Sequence, residues 1–104
     1  MQARSEPLSP EVESLIKDTV RESMERYALR RVDVRAGYDH DGDPVIFVEA
    51  THGLSKTPID PMANAALLTK VHDLLWERGE TRFPHIWHKY HTRQEVKQRK
   101  RARA

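Results

Sequence analysis

The stretch that most constrains this chain runs from Val32 to Thr51 and reads VDVRAGYDHDGDPVIFVEAT. Two runs rich in β-branched and aromatic residues flank a polar turn. Asp41-Gly42 within it is a strong signal for a two-residue hairpin loop, because a type I′ turn needs positive φ at both central positions. With those residues as the loop, antiparallel register sets Tyr38 opposite Val45, Ala36 opposite Phe47 and Val34 opposite Glu49. Alternation then gives the ribbon one face of Val32, Val34, Ala36, Tyr38, Val45 and Phe47, the expected core face. The opposite face carries Ile46, Val48 and Ala50 beside Arg35 and Asp33, so the second strand is apolar on both sides and the first on one. A doubly apolar strand belongs inside a sheet or at an interface.

Helical periods lie on either side of the hairpin. Ser9 reads as an N-cap with Pro10 at the first helical position, and Glu11 and Glu13 stand near the positive end of the helix dipole. Val12, Leu15, Ile16, Thr19, Val20, Met24, Tyr27 and Ala28 then recur at helical spacing, which predicts an amphipathic helix stopping near Leu29 to Arg31. Asp60-Pro61 repeats the cap-and-proline start, and the second helix is expected from Pro61 to about Arg78, closed by Gly79 in a left-handed conformation. Pro84 opposes a helix through RFPHIWHKY, where Ile86, His88 and Tyr90 alternate with His85, Trp87 and Lys89. Residues 82–90 are therefore read as a third strand covering one edge of the doubly apolar one. The expected fold class is α+β: a two-layer sandwich in the order α-β-β-α-β, with two helices on one face of a small antiparallel or mixed sheet. Residues 1–8 read as a disordered leader, 9–92 as one domain and 93–104 as a basic C-terminal tail.

Charge is unevenly placed. The chain is +2 overall, but residues 93–104 hold six Lys or Arg and one Glu, leaving residues 1–92 with 12 basic and 15 acidic side chains, net −3. Lys97, Arg99, Lys100, Arg101 and Arg103 would supply salt-sensitive contacts to nucleic-acid phosphates, set against a plain solvated charge run. No apolar run approaches the roughly 20 residues of a membrane span, and MQARSEPLSP lacks the apolar centre of a secretory signal, so a cytoplasmic protein is expected. The absence of cysteine excludes disulfides and thiolate zinc sites.

Little here reads as catalysis. Asp39, Asp41 and Asp43 surround Gly42, but a calcium loop of the EF-hand type needs its glycine after the third acidic ligand. These carboxylates read as turn formers. Asp43 and Glu49 have the look of a metal-dependent nuclease pair, yet Thr51 stands where the water-activating lysine belongs. His85, His88 and His91 are spaced by three, and on a strand His88 points away from the other two, so no ligand geometry is evident. His40, His52 and His72 sit in no motif. No metal ligand, cofactor or catalytic residue is assigned.

The segments Gly37 to Val48, Pro58 to Pro61 and Glu80 to Pro84 resemble a group of small bacterial proteins sharing a GxDHDGDPVxFV hairpin, a PIDP helix start and an E-R-F-P-like junction. That resemblance implies accessory partners in operons of the toxin-antitoxin kind, and it carries no catalytic residue with it. The leading expectation is a non-catalytic interaction module, self-associating or binding one protein partner through Ile46, Val48 and Ala50 and an open sheet edge. Nucleic-acid binding through the tail is the second reading, and a metal-dependent enzyme the third.

Overall fold

The computed structural model describes residues 6–54 and 57–90. Ser9 caps helix α1 (Pro10–Met24), its side chain accepting from the Val12 amide, with Pro10 in the first turn. The helix tightens into a 3-10 turn over Glu25–Tyr27 and ends at Ala28, whose φ of 55° is left-handed. Strands β1 (Leu29–Tyr38) and β2 (Pro44–His52) follow, so extended structure begins a turn earlier than the residue pattern suggests. Helix α2 (Pro61–Glu77) starts from the Asp60 cap and ends in paired back-bonds, Gly79 N to Trp76 O and Glu80 N to Leu75 O, with Gly79 at φ 77°. Strand β3 (Phe83–Tyr90) completes the expected α-β-β-α-β order.

The sheet is mixed, in the order β1-β2-β3, with β2 antiparallel to β1 and parallel to β3. The doubly apolar strand is thus the central one. Its register differs from the expectation by one residue: Tyr38 faces Pro44, Ala36 faces Ile46, Arg35 faces Phe47, Val34 faces Val48 and Asp33 faces Glu49. The cause is the turn. The Asp39 carboxylate accepts from the amides of Asp41 (3.0 Å) and Asp43 (2.9 Å), while Gly42 N donates to Asp39 O and Asp39 N to Asp43 O. This encloses three residues, with only Gly42 at positive φ (86°), a type I turn closed by a left-handed glycine.

A one-residue slip exchanges the faces of a strand. Ile46, Val48 and Ala50, expected on an outward face beside Arg35 and Asp33, are instead 0% exposed and form the floor of the core. They pack with Val32 against Ile16, Val20 and Met24 of α1 and Leu67, Val71 and Leu75 of α2. Arg35, Asp33 and Phe47 share the other side. The three residues therefore present no accessible surface to a partner. Leu8, ahead of the cap, also packs against this cluster, and Arg82 donates to the carbonyl of Glu6.

Placing an ammonium at position 48 would bury an unpaired charge under both helices. Val48→Lys is expected to abolish the cooperative thermal transition followed by circular dichroism, and Ile46→Ala to cost about 2–5 kcal/mol in urea denaturation. A folded Val48→Lys chain would contradict this assignment of faces.

Candidate functional site

The face of the sheet turned away from the core gathers the odd-numbered residues of all three strands. Phe47 sits between Arg35 of β1 and His85 of β3, and Trp87 lies beside Glu49. The Phe47 ring lies over Gly37, where an added Cβ would come within 2.5 Å of it, so glycine is what lets the ring lie down on β1. The Arg35 guanidinium carbon stands 4.7 Å from the Phe47 centroid, Trp87 meets Phe47 edge-on at 5.6 Å, and Phe83 meets His85 edge-on at 5.3 Å. Trp87 is 38% and Phe83 47% exposed, although rings of this size are ordinarily covered. A groove of about 260 Å³ opens where this face meets α1, lined by Arg35, Phe47, Glu49 and Trp87 and, from α1, by Glu13 and Lys17. Asp33 and Glu49 stand directly opposite each other, an unfavourable like-charge pair relieved on one side by Arg31, 2.8 Å from Asp33.

A second arrangement lies under the carboxyl ends of β2 and β3. His52, fully buried, has Nδ1 2.9 Å from the Tyr27 carbonyl oxygen and Nε2 2.8 Å from His88 Nδ1. His88 Nε2 in turn lies 2.8 Å from Asn64 Oδ1 in the first turns of α2. The Tyr90 ring stacks on His52 at 5.3 Å. Tyr27 and Tyr90 both line a neighbouring cleft of about 440 Å³ that includes Leu54, Pro58 and Ile59. Burial holds His88 below the ordinary imidazole value, and the adjacent His52 adds to the effect.

Between α2 and β3, Glu80 grips Arg82 through both carboxylate oxygens, at 2.6 Å to Nε and 3.0 Å to Nη2, and also accepts from the Arg82 amide. That hydrogen bonding holds the Glu80 carboxyl below its usual range and the Arg82 guanidinium above its own. Arg78 and Glu11 pair across the ends of the two helices.

The residues singled out in the sequence fare unequally. His85 and His88 fall on opposite faces, as strand alternation requires. Asp39, Asp41 and Asp43 form the turn described above, and no group of three or more potential ligands fit to hold a metal ion occurs among the described residues. His91, Lys97, Arg99, Lys100, Arg101 and Arg103 lie outside the described residues. What the sequence did not reveal is His52, which pairs with a residue 36 positions away. Its only signal was a polar residue continuing the apolar Ile46, Val48, Ala50 series at alternate positions.

Two acid steps in stability follow. The unfolded chain lets His88 bind a proton at the ordinary imidazole value, so its contribution is full above about pH 6.5 and falls as the pH drops towards the lowered folded value. Glu80 contributes fully above the ordinary carboxylate value and loses that contribution as the pH falls through its lowered folded value. Urea midpoints should therefore decline in two stages. His88→Gln should remove the first and Glu80→Gln diminish the second, whereas a wild-type midpoint that stays flat around pH 6 would contradict the first step. No family model matches the chain, and no curated protein or solved structure matches it.

Proposed function

We propose that this chain is a non-catalytic interaction module of the cytoplasm, and that its working surface is the outer face of the sheet, centred on Phe47 and Trp87 with Arg35 and Phe83 around them. The observation that carries this reading is the exposure of Trp87 and Phe83 beside a packed Phe47 on the face of the sheet turned away from the helix-packed core, where α2 touches only the rim through His72 on Phe83. Rigid aromatic side chains with an arginine among them are the residue types that dominate binding energy at protein interfaces. The surface sits on strands rather than on loops, so its geometry is held by the core beneath it. The partner is a second copy of the chain or one other protein. The resemblance of the hairpin, helix start and junction to small bacterial accessory proteins supports the reading of an antitoxin-like member of an operon.

Trp87→Ala and Phe83→Ala are outward substitutions that leave the core intact. Each is expected to weaken the complex by about 1–3 kcal/mol, within the range of aromatic hot spots, while circular dichroism stays unchanged. Sedimentation of the full-length chain reads self-association, and co-purification at moderate salt reads a second protein. A complex indifferent to both substitutions would place the interface elsewhere.

One observation favours a second reading. Exposed rings on a sheet, interleaved with Arg35 and Lys89, are also a surface on which single-stranded bases stack, and the run from Arg93 to Arg103 follows β3 in the sequence. This reading expects binding of an oligouridylate that weakens steeply with salt, is lost on truncation after Thr92 and falls in Trp87→Ala. Binding that survives either change would remove it.

A further inference from the structure

With the Asn64 amide placed as it is, the chain of contacts through the two histidines calls for a definite number of hydrogens. At one end stands the Tyr27 carbonyl oxygen and at the other Asn64 Oδ1, both acceptors only. His52 Nδ1 must therefore carry a hydrogen, and so must His88 Nε2. The 2.8 Å contact between His52 Nε2 and His88 Nδ1 needs a third. Two neutral imidazoles own two hydrogens of this kind, so the arrangement with Oδ1 facing His88 carries one positive charge. A neutral pair would leave one contact with lone pairs opposed at hydrogen-bond distance.

The neutral pair has another solution. If the Asn64 amide turns over, Nδ2 donates to His88 Nε2, His88 Nδ1 donates to His52 Nε2 and His52 Nδ1 donates to the Tyr27 carbonyl. All three bonds are then made, running in one direction. No other assignment satisfies a neutral pair, because the carbonyl end cannot donate. Adding a second proton to the charged form would set two N–H groups against each other across the same contact, which is repulsive in a buried site.

We infer that His52, His88 and Asn64 form a buried single-proton site, in which uptake of one proton by the imidazole pair and rotation of the Asn64 amide are one event. The groups facing the pair are few. From β2 and β3 they are the two imidazoles and Tyr90, which stacks on His52; from α2, the neutral Asn64; from the 3-10 turn, the backbone carbonyl of Tyr27. Among the described residues the histidine–carboxylate pairs are His40–Asp41 and His72–Asp73, so no ion pair to a carboxylate fixes the charge of this one. The charge of the pair is free to follow the pH, and burial favours the neutral form of His88. The event is felt at the cleft beside it, since the relay ends on Tyr27 and is roofed by Tyr90, both of which line that cleft.

The test is an NMR titration of the full-length ¹⁵N-labelled chain. Above the imidazole range, His52 and His88 are both expected as the Nδ1–H tautomer. On acidification the two rings should share one proton with a common midpoint, and the Asn64 side-chain amide resonances should move at that same midpoint. Asn64→Asp, which can only accept and adds a negative charge, should raise the midpoint by about 1–3 pH units, and Asn64→Leu should not raise it. An Nε2–H tautomer at either ring above the imidazole range would overturn the inference. So would two separate midpoints with uptake of two protons, or Asn64 amide resonances that ignore the transition. The wild-type titration decides alone if Asn64→Asp does not fold.

Discussion

The Asp39 carboxylate has a larger effect than a hydrogen bond in a surface turn usually does, because it determines which side of β2 faces the helices. By accepting the amides of Asp41 and Asp43 it closes a three-residue loop, which brings Val34 opposite Val48 and Val32 opposite Ala50. Side chains alternate at every residue, so a loop one residue shorter would turn Phe47, Glu49 and Thr51 towards α1 and α2. The burial of Glu49 alone would then oppose folding. The turn and the core thus specify the same register independently, and that agreement between local and global preference marks a sequence with one structure.

Once register is set, the two faces of β2 take up different work. Ile46, Val48 and Ala50 meet three residues from each helix and close the core. The reverse side lies outside the helix-packed core and is filled by rings: Phe47 lies over Gly37, with Arg35 above it and Trp87 edge-on to it. These contacts give the outer face a fixed shape without a second layer. They also explain why a ring as large as Phe47 stands on the face of β2 away from the core, next to the charged Glu49. Because β3 runs parallel to β2, it cannot be joined by a tight turn, and α2 supplies the crossover. The Glu80–Arg82 grip then sets the point at which the chain leaves that crossover for β3.

Element order, both helix starts, the glycine close of α2 and the strand over residues 83–90 were all legible, because each rests on a period or a cap within a few residues. The hairpin was legible as a hairpin, but its loop length was not. Asp-Gly suits a two-residue loop and also the last positions of a three-residue one, and the choice lay with Asp39, which local turn statistics do not weigh. That single residue settled the faces: Ile46, Val48 and Ala50 are buried under the helices, and their odd-numbered neighbours turn the other way. The histidine relay was beyond any local reading, since its three side chains come from β2, α2 and β3 and meet only when the parallel pair has formed.

The relay also has a structural origin. Where α1 tightens and then breaks at the left-handed Ala28, the last carbonyls of the helical segment lose their partners. The end of β2 provides for two of them in succession: His52 Nδ1 reaches Tyr27 O, and the Gly53 amide donates to Ala28 O at 2.8 Å. An apolar residue at position 52 would continue the inward series of β2 but would leave the Tyr27 carbonyl buried without a donor, at a cost of about 1–3 kcal/mol. A histidine used in this way has its tautomer dictated by the backbone, because Nδ1 must hold the hydrogen. While that ring is neutral its Nε2 presents a lone pair to whatever stands next, and His88 stands there. The proton chemistry of the pair therefore starts from the capping of a helix end, and Asn64, on a different helix, is the residue left to adjust.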